Sequence, residues 1–158
     1  MRSLFCIALG SLFACWTPAS AQMQSLGNKD TVAVANISED EFHEIVGAVK
    51  KSAYDVPKSW KAELRFRRID LGNYPGLAVQ GTNLLCGGTG NCQIWLFRKA
   101  NAHWTPLFGN EQTILAEGFE VGRALANGIK ELTIINNVSA YETKRTNYKF
   151  NGRRYTIR

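Results

Sequence analysis

Histidine is scarce: His43 and His103 are the only two in 158 residues. A zinc site needs about four ligands, and two histidines sixty residues apart with few cysteines offer no metal-ligand spacing, so no metal site and no cofactor is expected. No stretch approaches the roughly 20 apolar residues of a membrane-spanning helix. None of the serines sits in a nucleophile-elbow motif, and pairing Asp70 with Glu63 for glycoside chemistry would need a separation that a sequence cannot fix. A hydrolase is therefore the weakest functional class. Acid is in deficit too: 13 Asp and Glu face 19 Lys and Arg, for a net charge of +6. A basic surface favours acidic partners.

The start of the chain gives the compartment. "MRSLFCIALGSLFACWTPASAQ" carries Arg2, then an apolar stretch from Leu4 to Ala14, then "ASA". This reads as a secretory signal over residues 1–21, cleaved after Ala21. A second reading takes "LFAC" as a lipobox with Cys15 as the lipidated first residue, although Phe13 fits that motif poorly. Cleavage after Ala21 leaves 158 − 21 = 137 residues, one domain's worth. Residues 22–36 read as a polar, flexible segment and 37–158 as a single domain.

Four cysteines occur, and Cys6 and Cys15 lie in the signal segment. Cys86 and Cys92 remain, separated by "GGTGN". In an oxidising compartment a disulfide is the default. The spacer accepts positive φ and "QIWLF" after it is rich in strand formers. The expectation is a stapled turn between antiparallel strands near Gly76–Leu85 and Gln93–Lys99. A redox site would have two residues between the cysteines and a helix behind them; a phosphate loop would have Lys-Ser or Lys-Thr after the glycines. Neither pattern is present. In "QIWLF", Ile94 and Leu96 face one way and Trp95 and Phe97 the other, so the strand is expected to be central and covered on both sides.

The remainder reads as α+β: a single, mainly antiparallel sheet of about six strands with one N-terminal helix packed on it. The helix is "ISEDEFHEIVGAVKKSA". Ser38 and Glu41 form a capping box, with Ile37 and Phe42 as a hydrophobic staple. Acidic residues load its first turn and Lys50 and Lys51 its last. Phe42, Ile45, Val46 and Val49 share one face. "AELRFRRIDL" alternates as a strand. "TNYKFNGRRYTI" reads as a hairpin turning at Asn151-Gly152.

In order, "RRIDLGNYPGLAVQG", "CGGTGNCQIWLFRK", "HWTPL", "GFEV", "NGIKELTI" and "YKFNGRRY" together resemble small exported bacterial proteins of unassigned function. These share a CG-x-x-G-x-C hairpin and a terminal Tyr-x-Phe/Tyr-Asn/Asp-Gly hairpin. The resemblance covers roughly residues 67–158 and implies a compact, β-rich exported domain. Its first element is loosely similar to calcium-binding FG-GAP loops. Asp70 is the only carboxylate in "IDLGNYPG", too few for calcium.

The class that remains is a non-enzymatic binding protein, secreted or periplasmic. A two-residue turn at 151–152 would set Lys149 opposite Arg154 and Arg145 opposite Arg158, a basic ribbon with no acidic residue after Glu142. With Arg65 and Arg67 it is expected to dock on an acidic protein, an anionic lipid surface or a polyanionic glycan. Export argues against nucleic acid. A structural envelope protein and an inhibitor of a secreted hydrolase are the alternatives.

Overall fold

The computed structural model describes residues 23–24, 37–52, 63–109 and 113–158. The expected signal segment, with Cys15 and Ala21, lies outside them. Two residues of the segment expected to be flexible, Met23–Gln24, form a short strand, β1.

Among the described residues the one α-helix, α1, spans Glu39–Ser52. Its capping box is in place: Glu41 N donates to Ser38 Oγ and Ser38 N to Glu41 Oε2, both at 3.3 Å. Ile45, Val46 and Val49 are buried on one face. The strands that follow are β2 (Leu64–Asp70), β3 (Pro75–Gly81), β4 (Cys92–Ala100), β5 (His103–Pro106) and β6 (Ile114–Ala116). Then come β7 (Gly118–Ala126), β8 (Ile129–Asn137), β9 (Thr143–Phe150) and β10 (Tyr155–Ile157).

The fold is α+β, but with two antiparallel sheets instead of one. The first is ordered β2-β3-β4-β5, with β6 also on β4; the second is β1-β7-β8-β9-β10. The first sheet is the middle of three layers. On one face, α1 packs Ile45, Val46 and Val49 over Leu77, Val79, Trp95 and Phe97. On the other, Ala78, Ile94 and Leu96 meet Phe119, Leu132, Ile134 and Phe150 of the second sheet. The alternation in "QIWLF" thus serves two cores. Trp95 and Phe97 are 3% and 0% exposed. The Trp95 indole N–H donates to Ser52 Oγ at 2.8 Å, which ties the last helical turn to the sheet.

Glu117 alone separates β6 from β7, so the chain crosses between sheets there, and Glu117 N donates to Ile135 O at 2.9 Å. A second join lies at Leu71, whose carbonyl accepts from Lys130 N at 2.9 Å. The two-residue Asn-Gly turn expected at 151–152 occurs instead at Asn127-Gly128, where both residues have positive φ (50° and 79°) and Ala126 pairs with Ile129.

Candidate functional site

The C-terminal hairpin differs from the expected register by two residues. Tyr155 pairs with Phe150, Thr156 with Lys149 and Ile157 with Tyr148. The cause is Asn151. Its side-chain oxygen accepts from the backbone N–H of Arg153 (3.0 Å) and Arg154 (2.9 Å), so the turn closes around four residues, Asn151 to Arg154. A shift of two keeps each side chain on its face. It removes the like-charge pairs: Lys149 lies across from Thr156, and Arg154 sits in the loop.

The expected basic residues separate into three groups. Arg145 is ion-paired with Glu120, and Arg158 with Glu131 at 3.2 Å. Both are cross-strand pairs on the outer face of the second sheet. Arg65 and Arg67 lie on β2, the edge of the first sheet opposite β5, and do not join the hairpin. Lys149 and Arg154 are exposed, as is Arg153. Among the described residues Lys149, Arg153 and Arg154 have no acidic partner.

Arg153 and Arg154 form one wall of a groove of about 550 Å³, faced by Thr105, Pro106 and Gly109. The loop is firmly footed. Tyr155 N donates to Leu107 O at 2.7 Å, and the Tyr155 hydroxyl to Lys130 O at 2.6 Å. Burial pushes the Tyr155 hydroxyl pKa upward, so it stays a neutral donor. Asn127 Nδ2 donates to Phe150 O at 2.9 Å from the neighbouring turn. Two guanidiniums held on an anchored loop suit planar recognition of a carboxylate or phosphate. Arg153 was missed by sequence reasoning because a two-residue turn places it opposite Phe150; the signal available was Asn151, a residue able to cap its own turn.

The most polar cluster elsewhere joins α1 to the first sheet. Glu41 accepts from Lys99 Nζ at 2.6 Å and from the Trp104 indole N–H at 3.1 Å. The Lys99 bond first, then the Ser38 backbone and Trp104, hold its carboxyl at about 2 against an ordinary 4.5. Arg68 and Lys99 both lie over the Trp104 ring, each at 5.6 Å. Because the folded pKa lies below the unfolded one, this stabilisation is present above pH 4.5 and is lost as the pH falls toward 2. Glu41→Gln should lower stability by about 1–2 kcal/mol at neutral pH. Urea unfolding should show the difference from wild type vanishing near pH 2; a constant difference across that range would contradict the assignment.

The described residues of the types that a hydrolase would use have other partners. His103 Nδ1 lies 3.2 Å from Glu44 Oε1, and His43 Nε2 3.7 Å from Glu39. Ser38 caps the helix, Ser52 bonds Trp95, and Ser139 accepts from Tyr141 N at 3.2 Å. Ser25 and Ser59 lie outside the described residues. Asp70 ends β2 and Glu63 directly precedes it, about 23 Å away by strand rise, well beyond the spacing of a glycosidase pair. Asp70 accepts from Lys130 Nζ at 2.6 Å and from Gly72 N at 2.9 Å, and these two bonds lower its pKa. Among the described residues no three His, Cys, Asp or Glu converge as metal ligands, and no helix is long and apolar enough to cross a membrane.

Cys86 and Cys92 form a disulfide. The stapled loop is docked on the second sheet by Asn91, which donates to Asn137 O at 2.7 Å and accepts from Asn137 N at 2.8 Å. No protein-family model, no curated protein and no solved structure matches the chain.

Proposed function

We propose that this is an exported, non-enzymatic interaction protein whose C-terminal loop receives an anionic group of an envelope partner. The observation that carries this reading is the Arg153–Arg154 wall: two exposed guanidiniums on an anchored loop, without acidic partners among the described residues, beside a groove. Lys149, on the adjoining strand, adds a third cation without an acidic partner among the described residues. Arg145 and Arg158 serve instead to neutralise Glu120 and Glu131. The group received is a carboxylate or phosphate, presented by an acidic protein, an anionic lipid or a polyanionic glycan. The signal-like N-terminus, the disulfide and the resemblance to small exported bacterial proteins support placement in the periplasm or outside the cell.

Phosphatidylglycerol vesicles and a heparin column serve as lipid and glycan probes. At about 1 kcal/mol for each arginine near an anionic surface, Arg153→Glu with Arg154→Glu should weaken vesicle binding at least 30-fold or so. Wild-type retention should fade as salt rises. Arg65→Gln should stay within about twofold of wild type, as a surface change away from the groove. Unchanged retention of the folded double variant on both probes would dispose of the reading.

A further inference from the structure

The chain contains two Asn-Gly steps, Asn127-Gly128 and Asn151-Gly152, and the fold holds them differently. An asparagine before glycine can modify itself: the glycine nitrogen attacks the side-chain carbonyl carbon, and no β-carbon hinders the approach. Both asparagines are exposed, so exposure does not separate them. The bonding of the reacting groups does.

At Asn127 the amide is committed. Its Nδ2, the leaving nitrogen, donates to Phe150 O at 2.9 Å. Gly128 O accepts from Asn73 N at 3.0 Å, and a Cβ on Gly128 would lie 2.9 Å from Asn73 Nδ2. Closing a ring between residues 127 and 128 costs the Phe150 bond and presses on Asn73.

At Asn151 the amide nitrogen has no hydrogen-bond partner among the described residues; only Oδ1 is engaged. No atom lies within 4 Å of the place that a Gly152 Cβ would take. Oδ1 accepts from Arg153 N and Arg154 N, which folds the side chain over the backbone that follows, where Gly152 N lies. The same two donors, at 3.0 and 2.9 Å, sit on the oxygen that becomes negative as the nitrogen attacks, at the distances of an oxyanion hole.

We infer that Asn151-Gly152 is a self-modification site, which turns an amide beside the arginine wall into a carboxylate and so closes the anion site with time. Solvent base removes the Gly152 amide proton, the Gly152 nitrogen bonds to Asn151 Cγ, and the Cγ–Nδ2 bond breaks. The leaving nitrogen takes a proton from water and departs as ammonia. Water then opens the five-membered imide to aspartate or isoaspartate. The sum is amide plus water to acid plus ammonia, with no change of oxidation state. Asn151 lines the same groove as Arg153 and Arg154, so the new carboxylate stands beside both guanidiniums. That consequence rests on the anion-site reading above; the conversion itself does not.

The test incubates the full chain in mildly alkaline buffer, folded and in urea, and follows both asparagine peptides by mass spectrometry. In urea the two should convert at similar rates, since the dipeptides are the same. In the folded protein Asn151 should convert about tenfold faster than Asn127 or more, a retained hydrogen bond of about 1.4 kcal/mol being a factor of ten. Asn151→Asp, which supplies the aspartate product, should melt as wild type does, because a carboxylate accepts the same two N–H bonds. It should bind phosphatidylglycerol vesicles about fivefold more weakly, the effect of one charge near an anionic surface. Converted chain separated by ion exchange should show a loss at least as large. Equal protection of the two asparagines in the folded protein, or slower conversion at Asn151, would overturn the inference. So would vesicle binding unchanged in both the converted chain and Asn151→Asp while Arg153→Glu with Arg154→Glu weakens it. If that arginine double variant binds as wild type does, the anion-site reading fails and the closing role with it, while the mass data decide the modification separately.

Discussion

Phe97→Ala should destabilise the protein by about 3–5 kcal/mol, the range for deleting a fully buried aromatic. Phe97 is 0% exposed in the middle layer. It lies across from Leu77 on one neighbouring strand and Pro106 on the other. Above it sits α1, whose Ile45 and Val49 are also 0% exposed, so the space left by the ring has little room to collapse. Such a loss is a large share of the roughly 5–15 kcal/mol available to a domain. The surface comparison is Tyr141→Ala: Tyr141 is fully exposed and should shift stability by less than about 0.5 kcal/mol. Urea unfolding followed by tryptophan fluorescence measures both. A Phe97→Ala loss below about 1 kcal/mol would mean that the helix does not pack on this sheet as described.

Replacing both Cys86 and Cys92 by serine should cost about 2–2.5 kcal/mol in the loop-entropy model for a seven-residue ring. The loss is expected to act through the unfolded chain. In the folded protein the turn has its own bonds: Gly87 N donates to Asn91 O at 2.7 Å, and Gly90 N to Gly87 O at 3.0 Å. The Asn91–Asn137 contacts hold it against the second sheet. The variant should therefore fold, melt earlier and bind anionic vesicles as wild type does. Non-reducing peptide mapping of the protein should find the two cysteine peptides linked. Free thiols there would mean that no staple forms, and vesicle binding lost while stability holds would show that the staple has a role beyond structure.

The elements legible in the sequence are those whose signals are local. The helix announced itself through Ser38, Glu41 and the Phe42-Ile45-Val46-Val49 stripe, all within a dozen residues. The stapled turn was readable because Cys86, five turn-forming residues and Cys92 are contiguous. The two apolar faces of "QIWLF" correctly demanded a cover on each side. What they could not say was that the second cover is another sheet. Its strand β7 carries two glycines, both β7 and β8 have half-buried positions, and they meet β4 only through contacts distant in the chain.

The same distance hid the chemistry of the basic residues. Arg145 and Glu120 are 25 positions apart, and Arg158 and Glu131 are 27 apart; only the strand registers unite them. The hairpin register was misjudged because Asn-Gly serves two different turns here. At Asn127-Gly128 both residues take positive φ, whereas at 151–152 only Gly152 does (98°) and Asn151 spends its side chain on capping. That single difference moved Arg154 out of the ladder, placed Arg153 beside it, and created the cationic wall.

The most direct measurement is an NMR titration of the uniformly labelled protein with phosphatidylglycerol bicelles, read at the arginine Nε–H and backbone amide signals. The largest shifts should fall on Arg153 and Arg154, with Lys149 following, and should shrink as salt is added. Shifts centred instead on Arg65 and Arg67, or on the ion-paired Arg145 and Arg158, or no shifts at all under low salt, would contradict the assignment of the anion site to this loop.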